Sequence, residues 1–189
     1  GLPLADSDIF KAQIYKHCTE DERKAFTETW KELTLICKQG NFSIDDIFRY
    51  YTHTLRARNL DKSKEVGLRK FYAENKYQRL KNKTLIPEII DLSFFWRFCN
   101  TQITPDNDYS YIISTQAKIY IHCLTHYPNE YWKYVTSVFF LKNKNSENFE
   151  TTFELFLKKL IAYLFAKFIE YPSVNAIKDD IYQSCISCH

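Results

Sequence analysis

Three short constellations in this chain hold residue types that could do chemistry. The last five residues, Cys185-Ile186-Ser187-Cys188-His189, have the spacing of c-type haem attachment, in which two thioethers hold the porphyrin and the adjacent imidazole ligates iron. No export leader is recognised in the sequence and no Met is present to supply a sixth ligand. A helix end whose Cys185 packs inward is the simpler expectation, and no cofactor is expected. His122-Cys123-Leu124-Thr125-His126 sets two imidazoles one helical turn apart, as metal sites do. The place beside the first His where a zinc peptidase carries a general-base Glu holds Cys123, and Pro128 puts His126 at or past a helix end. A histidine sitting against the negative end of a helix dipole is expected there, with no metal. Asp45/Asp46 and Asp179/Asp180 are adjacent in sequence, so on a helix their side chains diverge. Glu150/Glu154 lie one turn apart and are expected to face solvent. With only three Gly in the chain there is no phosphate-cradling loop, and no catalytic residue is expected.

The strongest binding signal is electrostatic. Between Arg56 and Lys83 ten Lys and Arg stand against three acids, a local net charge of +7, while the whole chain carries +3. Such asymmetry points to an anionic partner without bearing on fold. Lys and Arg neutralise backbone phosphates and release counterions, so Arg56, Arg58, Lys62, Lys64, Arg69, Lys70, Lys76 and Arg79 are the candidate nucleic-acid contacts. Phe71, Tyr72 and Tyr77 are interleaved with them and could stack on bases, though their helical spacing suits a core equally. The plain alternative is a solvated helix face beside a polar loop.

The elements that must carry these residues are helices. Apolar residues make up 45% and aromatics 17% of the chain, enough for a real core. Three Gly and five Pro are too few for the turns of a sandwich or barrel. Asp6 or Ser7 can cap a first helix with Ile9, Phe10 and Ile14 inward. Thr19 and Glu22 form a capping box, followed by the stripe Phe26, Trp30, Leu33 and Cys37. Gly40 sits where a left-handed stop is expected. Ser43 to Asp46 opens a helix whose inner face is Ile47, Phe48, Tyr51 and Leu55. Val66 to Leu80 is expected to be one helix, and Leu85 to Cys99, apolar nearly all round, a central one. Thr101 to Tyr109 reads as a long loop or boundary. Helices are then expected over Tyr109 to Leu124, Asn129 to Lys142, Glu147 to Glu170 and Asn175 to Cys188, with Pro172 stopping the third. The sum is an all-α, irregular bundle of eight or nine helices with little or no strand. The six cysteines are expected to be reduced thiols of a cytoplasmic protein. No apolar run is long enough to span a bilayer.

Two stretches carry a family likeness. Gly1-Leu2-Pro3-Leu4-Ala5-Asp6-Ser7-Asp8-Ile9-Phe10-Lys11-Ala12 resembles the segment that closes the N-terminal ParB-like (sulfiredoxin-fold) domain of GmrSD-type restriction endonucleases. Leu55-Arg56-Ala57-Arg58 and Val66-Gly67-Leu68-Arg69-Lys70-Phe71-Tyr72 are similar to the helical region of the same family. The resemblance implies a modular, type IV bacterial defence protein against phage. Its N-terminal domain is associated with nucleotide-dependent DNA cleavage and carries an Asp-Gly-Gln-Gln-Arg motif, and many members add a His-Asn-His-type nuclease domain. Neither motif occurs in this chain, so no catalytic residue of the family transfers. Gly1 is not a translation start, so the natural protein is expected to extend further toward its N-terminus.

The expected organisation is a residual edge of a preceding domain at 1–8, a helical subdomain at 9–100 with the basic stretch 56–83, and a second at 109–189 packed with it. The expected function is non-catalytic: contact with DNA, or positioning of flanking ParB-like and His-Asn-His-type nuclease domains. The alternative is an interaction or oligomerisation scaffold, with a homo-oligomer as one form, no direct nucleic-acid contact and no membrane.

Overall fold

A computed structural model of the chain describes residues 4–101, 113–173 and 177–188. Among these residues there are nine α-helices and no strand, the all-α class that composition and periodicity predict. The expected connection after Thr101, the first residues of the helices expected from Tyr109 and Asn175, and His189 lie outside the described residues. The chain divides into two compact units, Gly1–Thr52 with Ser63–Asp106, and His53–Lys62 with Asn107–His189.

The first unit contains α1 (Asp6–His17), α2 (Glu20–Gly40), the start of α3 (Ile44–Arg58), α4 (Leu68–Tyr77) and α5 (Leu85–Thr101). Asp6, Ser7 and Asp8 form the first turn of α1, and Ala5 is its N-cap rather than Asp6 or Ser7. The missing cap is supplied from a distance. The Asp45 carboxylate, on the first turn of α3, accepts the amides of Asp6 at 3.3 Å and Ser7 at 2.7 Å, a negative charge at the positive end of a helix. Asp46 serves α3 itself, accepting the Ser43 amide at 3.0 Å while Ser43 Oγ accepts the Asp46 amide at 3.1 Å. The box Thr19–Glu22 opens α2 as its sequence predicts.

Phe48 gathers the aromatic core of this unit. Its ring lies 5.0 Å from Phe10, 5.5 Å from Tyr72 and 6.3 Å from Trp30, and the buried Tyr72 hydroxyl donates to the Phe48 carbonyl at 3.2 Å. Each such side chain stabilises by about 1.5–3 kcal/mol through burial, which outweighs anything the surface charges contribute. From α5, Leu85, Ile89, Leu92, Phe95 and Trp96 are fully buried.

Two further local expectations fail for identifiable reasons. Gly40 is helical, and Asn41 takes the left-handed conformation (φ 56°), with the Phe42 amide bonding the Cys37 carbonyl at 3.1 Å. Gly40 is required for close approach: a Cβ there would lie 2.2 Å from the Phe42 ring and 3.0 Å from Arg97 Cα. The helix expected through Leu80 breaks at Glu74. Asn75, Lys76 and Tyr77 all have positive φ, followed by a 3-10 turn, Gln78–Lys81. Arg79 compensates, donating to the freed Phe71 carbonyl, lying 4.0 Å over the Phe71 ring and pairing with Glu74 at 2.7 Å.

The second unit holds the end of α3, α6 (Thr115–Thr125), α7 (Trp132–Asn143), α8 (Phe149–Glu170) and α9 (Lys178–Cys188). Ser114 caps α6 by accepting the Ala117 amide at 3.0 Å. The inner face of α8 stacks Phe149 on Phe153 at 5.2 Å and Phe156 on Phe139 at 4.2 Å. Tyr127 donates its hydroxyl to the Leu164 carbonyl at 3.2 Å. His53, from α3, stacks on Tyr134 at 4.1 Å and lies 4.8 Å from Tyr182 of α9.

The left-handed break gives a sharp test. Lys76→Gly is expected to stabilise the chain by about 0.5–1 kcal/mol in urea unfolding, because glycine adopts that φ without strain; within a continuous helix the same change would cost about 1 kcal/mol.

Candidate interaction surfaces

The eight basic candidates are divided between the two units. Arg56, Arg58 and Lys62 belong to the second unit, and Lys64, Arg69, Lys70, Lys76 and Arg79 to the first. Three of the arginines do structural work. Arg56 is buried, with Nε 3.5 Å from the Asp61 carboxylate. Arg69 ties α4 to the start of α1, bonding the Asp6 carboxylate at 2.7 Å and the Leu4 carbonyl at 3.1 Å. Arg79 holds the break described above. Arg58 is half-buried at the end of α3, while Lys62, Lys64, Lys70 and Lys76 are exposed. Phe71 and Tyr72 lie in the core, so they offer no face for stacking on bases.

The other constellations resolve in the same way. His126 caps the C-terminus of α6, its Nδ1 2.9 Å from the His122 carbonyl oxygen. Among the described residues no group of three His, Cys, Asp or Glu is placed to hold a metal. Cys185 and Cys188 lie one turn apart on α9, the first buried and the second half-buried. Burial pushes both thiols above their ordinary pKa, Cys185 far above it, and drives Cys37 up to about 12. A thiol held protonated in an apolar wall is a poor nucleophile. Glu154, expected in solvent, is half-buried and accepts the Ser114 hydroxyl. Asp180 accepts the Tyr163 hydroxyl; burial and that bond raise the phenol to about 12. A shallow open depression between α1 and α2 is lined by Tyr15, Glu20, Arg23 and Lys24. The Arg23 guanidinium there lies 5.2 Å over the Tyr15 ring.

One surface was not visible in these motifs. The inner stripe of α8 is Phe149, Phe153, Leu157, Leu160 and Leu164, all buried. On the opposite side of the same helix Leu155 is 50% exposed, Phe165 40% and Ile169 82%, with Ala162 exposed between them. At 100° per residue these lie within about 60° of Ala162, so they form one outer stripe. Phe and Leu make the inner stripe the louder periodic signal in the sequence. The signal for the outer one was the four-three alternation Leu155, Lys158, Ala162, Phe165, Ile169, a heptad.

Among the described residues no helix is long and apolar enough to cross a membrane. No protein-family model, curated protein or solved structure matches the chain.

The division between structural and surface cations is testable by substitution. Arg56→Ala is expected to cost about 2 kcal/mol in urea unfolding, from lost packing of a buried side chain and a broken, half-buried pair. Lys70→Ala should stay within about 0.5 kcal/mol of the parent. Equal effects would contradict the assignment.

Proposed function

We propose that this chain is a non-catalytic helical module of a bacterial DNA-restriction protein that acts in the cytoplasm in defence against phage, and that it serves by docking partner surfaces rather than by chemistry. The observation that carries the docking role is the outer stripe of α8, whose apolar residues face solvent at helical spacing. Scattered surface hydrophobes need no explanation; Leu155, Phe165 and Ile169 instead share one face of one helix, interrupted by Lys158. The restriction context rests on the likeness of residues 1–12 to the segment that closes the ParB-like domain of GmrSD-type endonucleases, and of residues 55–58 and 66–72 to their helical region. In that setting the chemistry lies with the flanking nuclease domains, which this module helps to assemble.

Contact with nucleic acid is the second reading, supported by the exposed Lys62, Lys64, Lys70 and Lys76. It predicts duplex-DNA binding that weakens steeply with salt and is lost when these four become Ala. Absence of binding at low salt removes it.

The docking reading is tested by placing a photo-crosslinking residue at Ile169 of the full-length protein. A protein crosslink from this position, abolished by Leu155→Glu, is expected. An Ile169 probe that captures no protein surface contradicts a docking role for α8.

A further inference from the structure

We infer that the outer stripe of α8 pairs with α8 of a second copy of this chain, the two helices running antiparallel and crossing near Tyr163 and Leu164. The inference rests on the docking reading above and names its partner. Three observations support it: spacing, area and charge.

The spacing is that of a helix–helix seam. Leu155, Lys158, Ala162, Phe165 and Ile169 alternate steps of four and three, the pattern that keeps one narrow stripe against a partner helix. The inner stripe fills the core of its own unit; on the heptad face Phe165 keeps one edge against Tyr127, at 5.7 Å, while Leu155 and Ile169 stay exposed. Ala162 at the middle is small enough to admit a large side chain opposite. In an antiparallel crossing near Tyr163 and Leu164, each Ala162 meets Phe165 of the other copy.

The area suits a symmetric pair. The exposed parts of Leu155, Phe165 and Ile169, with the two alanines and the lysine stems along the stripe, amount to roughly 450 Å² at ordinary side-chain areas. Two copies would hide about 900 Å², the size of a weak, transient interface.

Charge selects the direction. A parallel pair would set Lys158 against Lys158 in the middle of the seam. The antiparallel crossing lays the Lys158 stem over Ile169 of the other copy, with its ammonium free to reach solvent. Lys159 and Glu170 lie on one flank of the stripe, both exposed. They are spaced about the crossing so that Lys159 of each copy lies beside Glu170 of the other, two such pairs per dimer.

Sedimentation equilibrium of the 189-residue chain between about 1 and 100 µM tests the pairing, a range suited to a small interface. A monomer–dimer equilibrium is expected. Ile169→Glu, at a position too exposed to disturb the core, should raise the dimer Kd at least about tenfold. Lys159→Glu and Glu170→Lys should each weaken the dimer several-fold, and the two together should restore it to within about twofold. A chain monomeric throughout the range, or a dimer indifferent to Ile169→Glu, overturns self-pairing. A dimer without charge restoration overturns the antiparallel arrangement. If the chain is monomeric while Ile169 still crosslinks to another part of the full-length protein, docking stands and only the second copy is removed as occupant.

Discussion

A helix at the edge of a packed unit can bury only one side there, even when its opposite side also carries apolar residues. The long helix α8 is in that position. Its Phe149, Phe153, Leu157, Leu160 and Leu164 side is consumed by the core of its own unit, and Phe153, Leu157 and Leu164 are fully hidden. The other side keeps Ile169 and Leu155 in water at a cost of about 25 cal/mol for each Å² of apolar surface left exposed. Polar residues at these two positions would remove that cost without touching the core. That Leu155 and Ile169 share one face with Phe165, interrupted by Lys158, is the physical reason to treat the outer stripe as a contact surface.

The basic stretch, by contrast, loses much of its meaning as a single feature. A sequence count treats every Arg as an available cation, but Arg56, Arg69 and Arg79 are committed to Asp61, Asp6 and Glu74. Arg79 also closes a carbonyl that the break in α4 leaves open. These residues hold the fold at places where a helix ends, starts or is interrupted. What remains for a partner includes the exposed Lys62, Lys64, Lys70 and Lys76, which suit salt-sensitive contact.

How much of this was legible in the sequence depended on whether the signal was local. The capping box at Thr19, the stripe Phe26–Trp30–Leu33–Cys37 and the apolar α5 are each written within a few turns, and all appear in the structure. Gly40 and the break at Glu74 were misread because their causes lie elsewhere. Gly40 answers to the backbone at Arg97, and the break is held by Arg79, eight residues from the carbonyl it bonds. Asp45 as cap for α1 joins residues nearly forty positions apart, beyond any periodicity. The outer face of α8 was present in the sequence but masked, since a helix rich in Phe and Leu reads as core on every side until its neighbours are known.

The most direct measurement is amide hydrogen exchange along α8, with α6 of the same unit as internal reference, in the dilute chain and in its concentrated or full-length form. If the outer stripe is a docking face, exchange between Leu155 and Ile169 slows when the face is occupied, while α6 is unchanged. Identical exchange in every form, with α8 as well protected alone as in company, would contradict a docking role for this helix.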